Sequence, residues 1–190
     1  MLDKSSAIRE LEDDVQDMQK MIEGYLAFAR GEGTETPIAT DLENLIDEVV
    51  AAEKRDGSKI NLTLNIQNLQ KLEVRPQAIK RALTNLISNS INYGKEKGTT
   101  EIGIEHKNGK VLLTINDNGE GISKDNMSRL FERFFRVDIS RSRSHGGSGL
   151  GLAIVKHIID AHNENINVQS TLQIGSEFSF TLKKSEITLN

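Results

Sequence analysis

Asn116-Asp117-Asn118-Gly119-Glu120-Gly121-Ile122 follows directly on the alternating run Val111 to Ile115, and Gly146-Gly147-Ser148-Gly149-Leu150-Gly151-Leu152 opens an apolar helical pattern further on. An Asp on a glycine turn at the end of a strand is an acceptor carboxylate that suits a purine amino group. A glycine-rich loop running into a helix start suits phosphates, because unpaired backbone N–H groups and the helix dipole both favour negative charge there. Together the two stretches predict a nucleotide cleft formed where a strand ends and a helix begins.

The elements around them fit an α/β fold. Thr40 with Glu43 three residues later has the capping-box arrangement, and Leu42, Leu45, Ile46, Val49 and Val50 form one face of the helix it would open. Ile60 to Ile66 alternates as a half-buried strand does, and Lys71 to Arg75 reads as a second short strand. Pro76 suits the first turn of the next helix, which carries Ile79, Ala82, Leu83, Leu86, Ile87, Ser90 and Ile91 on one face. Strands at about Glu101–His106 and Lys110–Asn116 meet at Asn108-Gly109, a strong hairpin signal. A helix is expected over Lys124–Phe135, another from about Gly149 to Ala161, and a closing strand pair at Ile166–Ser170 and Glu177–Leu182. Helices alternating irregularly with mostly antiparallel strands predict a two-layer α/β sandwich.

Asn85 and Asn89 sit four residues apart, so both amides project from one face of the Pro76 helix. Asn is mildly unfavourable inside a helix, since its amide competes with the backbone for hydrogen bonds. One explanation is a pair of structural amides that tie down a neighbouring loop. The other is a neutral oxygen ligand for Mg²⁺, which shares substrate phosphates with few protein groups. Between Phe135 and Gly149 lie Arg136, Arg141, Arg143 and His145 among serines. That segment is either a solvated basic loop or a lid whose guanidinium groups make bidentate contacts with a triphosphate. Phe131, Phe134 and Phe135 read as core and lid anchors.

Composition limits the partners. A net charge of -4 argues against nucleic acid, and the absence of Cys removes disulfides and thiolate chemistry. No apolar run approaches the roughly 20 residues of a membrane span, so any anchor of a parent protein is expected outside this chain. Ile8, Leu11, Val15, Met18, Ile22, Tyr25 and Ala29 keep a 3-4-3-4 spacing that matches a coiled-coil or bundle seam. The alternative is a helix packed on its own domain. Gly31-Glu32-Gly33-Thr34-Glu35-Thr36-Pro37 then reads as a linker. The expected division is a helix at 1–30, a linker at 31–40 and a nucleotide domain at 41–190.

The order Asn-x-x-x-Asn, Asp-x-Gly-x-Gly, an aromatic-rich segment and Gly-x-Gly-x-Gly resembles the ATP-binding domain of bacterial sensor histidine kinases. Leu83 to Ser90 resembles the N box and Asp117 to Ile122 the G1 box. Leu130 to Arg136 resembles the F box, Gly147 to Leu152 the G2 box, and Gly175-Ser176-Glu177-Phe178 the closing Gly-Thr-x-Phe element. The N-terminal heptads resemble the second helix of that family's dimerisation bundle, and Glu48 to Glu53 with Ile79 to Ala82 resemble the osmosensing members. The resemblance implies a mixed, mostly antiparallel sheet covered by helices, preceded by one long N-terminal helix, as in the histidine kinase/Hsp90-like ATPases. It implies ATP and Mg²⁺ as ligands, with Asn89 on the metal and Asp117 on the adenine amino group. The implied ATP contacts also include Asn85, Asn92, Tyr93, Gly119, Gly121, Ile122, Phe134, Arg136, Gly147, Ser148, Gly149, Leu150, Gly151 and Leu152. It further implies a homodimer through the N-terminal helix, a response-regulator partner, and a cytoplasmic place beneath an inner-membrane sensor.

Three departures qualify the resemblance. The family's phosphoacceptor is a His with an acidic neighbour on the first bundle helix, but the first His here is His106, in an expected strand. The expectation is therefore Mg·ATP binding without autophosphorylation. Residue 92 is Asn where the family often has Lys or Arg, and Asn163-Glu164-Asn165 replaces the usual glycines after the last helix. Asn is the next-best residue for a left-handed helix stop. The same cradle resembles Hsp90-type chaperones, gyrase B subunits and mismatch-repair ATPases, which need a glutamate near the N box, yet no acidic residue lies between Leu83 and Gly94. A degenerate kinase serving for dimerisation is the remaining alternative.

Overall fold

A computed structural model describes residues 8, 15, 18, 19, 22, 35–55, 61–65, 71–95, 98–137 and 148–185. Strands β1 (Ile38–Thr40) and β3 (Leu72–Val74) form a small antiparallel ribbon, with Ile38 opposite Val74. The main sheet contains β2 (Asn61–Asn65), β4 (Thr99–Lys107), β5 (Lys110–Asp117), β6 (Ile166–Thr171) and β7 (Gly175–Lys183), in the order β2-β4-β5-β7-β6. Among the described residues only the β2–β4 pair is parallel. The mixed, mostly antiparallel sheet is the one expected from the sequence. Asn108 and Gly109 take φ of 51° and 77° between β4 and β5, the left-handed pair that a two-residue hairpin requires.

Helices α1 (Leu42–Arg55), α2 (Pro76–Asn92) and α4 (Gly151–Ala161) bury one stripe each, while α3 (Lys124–Met127) is a single turn. The stripes of α1 and α2 are the ones read from the periodicity, and Leu42, Ile46, Ile79, Leu83 and Ile87 are fully buried. Against them lie Ile102, Ile115 and Phe178, which face one another across β4, β5 and β7. Burying each such side chain contributes roughly 1.5–3 kcal/mol. The period-2 alternation of β4, β5 and β7 and the 3.6-residue period of the helices thus converge on one core. Among the described residues no helix is long and apolar enough to cross a membrane.

Four expectations need correction. Asp41, not Thr40, caps α1: its Oδ1 accepts from the backbone N–H of Glu43 at 3.0 Å and of Asn44 at 3.3 Å. Thr40 lies in β1 and donates its hydroxyl to the Ile38 carbonyl. The capping-box pattern misplaced the cap by one residue because a carboxylate stood next to the hydroxyl. Secondly, residues 35–40 fell inside the expected linker, yet Ile38–Thr40 pairs with β3. Thirdly, the helix expected over Lys124–Phe135 ends at Met127 and continues as single turns, Glu132 N–H to Arg129 carbonyl being one. It cannot run on, since Phe134 has φ of 64° and gives its N–H to the Gly149 carbonyl at 2.9 Å. Lastly, Phe134 is 51% exposed, so the buried anchor of this segment is Leu130.

The helix stop at Asn163 follows the expectation, with φ of 57° and the Glu164 N–H bonded back to the Ile159 carbonyl at 3.1 Å. The heptad helix falls mostly outside the described residues. Of its seam, Ile8, Val15, Met18 and Ile22 are helical and 58, 52, 57 and 55% exposed.

Candidate nucleotide site

Asp117 ends β5, opposite Thr100 on one side and Ser176 on the other. Its half-buried carboxylate accepts from the Gly119 N–H at 2.8 Å and from the Ser176 backbone N–H. Burial raises its pKa above the ordinary carboxylate value, while the two backbone hydrogen bonds pull it down. The result is an acceptor held in a partly dry pocket with lone pairs to spare.

The turn that follows lies on the end of α2. A Cβ at Gly119 would stand 2.5 Å from the Tyr93 carbonyl oxygen and 2.7 Å from Asp117 Oδ1, so only glycine permits this approach. The Glu120 N–H donates to the same Tyr93 carbonyl at 3.1 Å. Gly121 is stacked on Thr171, and the Ile122 N–H donates to Ser170 Oγ at 2.8 Å. Ile122 itself packs partly buried against the core.

The described end of the second glycine stretch meets the same helix. Gly151, the first residue of α4, faces Asn85: a methyl there would come within 3.2 Å of its Oδ1. The Asn85 amide donates to the Arg81 carbonyl at 3.1 Å, so one of its groups is spent on its own helix. Asn89, one turn on, is half-buried, and its side-chain amide makes no hydrogen bond among the described residues. Gly149 takes φ of 69° and presses on Phe134, with 2.8 Å between an added Cβ and the Phe134 carbonyl carbon. Ser148 accepts the Leu150 N–H at 3.4 Å, Leu150 is buried, and Leu152 packs partly buried on the core.

Arg136 supplies the most telling observation. Its Nε and Nη2 are buried and have no hydrogen-bond partner among the described residues. Buried donors are rarely left unsatisfied, because an orphan costs about 1–3 kcal/mol. Two on one guanidinium fit an absent anion, and phosphate is the planar fork's usual match. The donor set therefore fits a triphosphate. Among the described residues no three His, Cys, Asp or Glu side chains gather as a metal site. A Mg²⁺ ion here would take its protein oxygen from the Asn89 amide and the rest from phosphate and water.

Asp117, Gly119 and Tyr93 thus meet at the end of α2, where the Tyr93 N–H bonds the Asn89 carbonyl, and Gly151 meets Asn85 on the same helix, while Gly149 contacts Phe134. Asn92 and Tyr93 lie exposed at the helix end. Gly147, Arg141, Arg143 and His145 lie outside the described residues. A cavity of about 410 Å³ opens beside Asp117, but it is not this cleft. Glu101, Asn116, Glu177 and Gln169 line it and form one cross-strand row facing away from the helices. Asn85, Asn89, Tyr93 and Gly149 take no part in it. Sequence reasoning left Ser170 and Ser176 out of the site. Ser176 lay within a quoted motif, whereas Ser170 carries no local signal.

The sequence profile described as "Histidine kinase-, DNA gyrase B-, and HSP90-like ATPase" matches residues 74–186. The chain therefore belongs to this family, and it carries the ATP-binding catalytic domain of the sensor histidine kinase kind. Sensor-like histidine kinase SenX3 of Mycolicibacterium smegmatis is 37% identical over 146 residues, 76% of this chain and 38% of the relative. SenX3 of Mycobacterium tuberculosis is 33% identical over 85% of this chain and 41% of its own length. The chain thus spans well under half of these curated relatives. Among solved structures, the mycobacterial sensor histidine kinase MprB superposes with a TM-score of 0.67 at 25% identity, covering 78% of this chain and 99% of that one. Histidine kinase ThkA in complex with response regulator protein TrrA gives a TM-score of 0.73 over 97% of this chain and 52% of that one, a likeness of fold at 24% identity.

Proposed function

We propose that this chain binds Mg·ATP and donates the γ-phosphate to a histidine on a bundle helix that it does not carry. The observation that supports this best is the pair of buried Arg136 donors without a hydrogen-bond partner among the described residues, two positions after Phe134, whose N–H meets the Gly149 carbonyl. In this reading Asp117 accepts from the adenine amino group and Asn89 holds Mg²⁺ by its amide oxygen. Arg136 and the backbone N–H groups at the start of α4 hold the phosphates, and Tyr93 and Ile122 flank the base. The protein's work is to position and to neutralise charge, which is the main demand of phosphoryl transfer. Nucleotide binding would sit beside a homodimer formed through the N-terminal helix, with a response regulator taking the phosphoryl group downstream, as the ThkA–TrrA assembly suggests for a kinase of this fold. A cytoplasmic setting follows from that partnership.

With His106 as its first histidine, the chain is expected not to phosphorylate itself. Incubation with γ-labelled ATP and Mg²⁺ tests both halves of the proposal. Retained Mg-dependent nucleotide with no acid-labile phosphohistidine supports it; a labelled chain, or absence of binding, overturns it. Hydrolytic ATPase function is disfavoured, because α2 offers no carboxylate between Leu83 and Asn92 to activate water.

A further inference from the structure

The far end of the α2–α4 pair carries a small polar junction with no part in the nucleotide chemistry. The Glu35 carboxylate spans the first turn of α2, accepting from the Gln77 N–H at 2.9 Å and from the Ala78 N–H at 3.1 Å. Arg75, the residue before this helix, offers no side-chain cap of its own. Helix α2 thus takes its N-terminal anion from the segment ahead of β1. Arg75 turns outward instead: its Nε donates to the Glu35 carbonyl at 2.9 Å and its Nη1 to the Ala161 carbonyl, at the end of α4, at 2.8 Å.

His162 closes the junction. Its Nδ1 lies 2.7 Å from the Ile158 carbonyl, and its Nε2 accepts the Arg75 N–H at 3.1 Å. A carbonyl opposite Nδ1 and a donor opposite Nε2 demand one species, the neutral ring protonated on Nδ1. We propose that Glu35, Arg75 and His162 form an acid-opened joint that fixes where the N-terminal segment enters the nucleotide-binding domain. Adding a proton to Nε2 would set two donors face to face and remove the bond to Arg75.

The charged groups facing the ring are Arg75 from the β3–α2 connection, Glu35 from ahead of β1, and Glu164 from the turn after α4. Burial lowers the ring's pKa most and Arg75 adds to that, while the Ile158 carbonyl, Glu35 and Glu164 act in the opposite sense. The sign follows from linkage. Because the folded ring gives up its proton more readily than the unfolded one, the joint is intact above the ordinary imidazole range. It weakens as pH falls from there through the lowered value.

The joint is independent of whether ATP binds, so its test uses the 190-residue chain without nucleotide. Imidazole ¹⁵N spectra report the tautomer and titration of His162, while hydrogen exchange, corrected for intrinsic rate, reports the Gln77 and Ala78 amides. The expected result is an Nδ1–H ring at pH 7.5 and a loss of about tenfold in protection of both amides as His162 titrates. Glu35→Ala should show that loss at every pH. His162→Gln retains an acceptor that does not titrate, and should keep protection through the same range. An Nε2–H tautomer in the unmodified chain overturns the proposal, as does titration of His162 that leaves both amides protected. So does a His162→Gln chain that still loses protection at the same midpoint.

Discussion

Asp117, the proposed acceptor for the adenine amino group, costs the fold some stability at neutral pH. Its carboxyl is raised in pKa by burial, so the folded chain holds the proton more tightly than the unfolded chain. Stability therefore declines as pH rises from the ordinary carboxylate value through the raised one, then levels off toward neutrality. Asp117→Asn removes that dependence and keeps an oxygen for the Gly119 N–H. The expected outcome is an unchanged or higher Tm at neutral pH, with nucleotide affinity lower by about 10–100-fold, the size of one charge-assisted hydrogen bond. Calorimetric titration with Mg·ATP and a thermal melt measure the two effects on the same sample. An amide that binds as tightly as the carboxylate would remove Asp117 from the adenine site. The residue was legible because the turn Asp117-Asn118-Gly119 stands at the end of an unmistakable strand. Ser170 and His162 were not, since their partners Ile122 and Arg75 are 48 and 87 positions away.

Among the elements, α1 and the segment after α3 show where local patterns stop being sufficient. Helix α1 was read correctly from its apolar face, and only its first residue was misplaced. Asp41→Ala should cost about 1 kcal/mol in denaturant unfolding, the usual worth of an N-cap, and Thr40→Ala clearly less. Equal losses would return the cap to Thr40. The segment 128–135 failed for a different reason. Its composition permits a helix, but the Phe134 N–H is claimed by Gly149 across the cleft, and that bond requires a left-handed φ at a bulky residue. Such strain is uncommon and is held in place only by surrounding structure. The helix there is sacrificed to dock the second glycine loop.

For the molecule as a whole, ligand binding and folding are one equilibrium. If Mg·ATP binds only the folded chain, about a hundredfold excess over Kd adds about 2.7 kcal/mol of stability. For a chain of this size that is a rise in Tm of roughly 5–10 °C. The rise should shrink when Mg²⁺ is chelated and fall by about half or more in Asp117→Asn at matched ATP, where a Kd weaker by about 10–100-fold leaves about 0.4–1.4 kcal/mol; a Tm indifferent to Mg·ATP would contradict the proposed function. By itself the sequence determined the family, the mixed sheet, the apolar stripes of α1 and α2, the Asn108-Gly109 hairpin and the loops around Asp117 and Gly149. Those features are written in periodicity and in glycine positions, which report on backbone shape within a few residues. Tertiary structure alone decided that Glu35 caps α2, that Ile38–Thr40 pairs with Leu72–Val74, that Phe134 bends away, and that two Arg136 nitrogens are buried with no partner among the described residues. Each of these depends on groups distant in the chain meeting in space, and short-range patterns carry no record of such meetings.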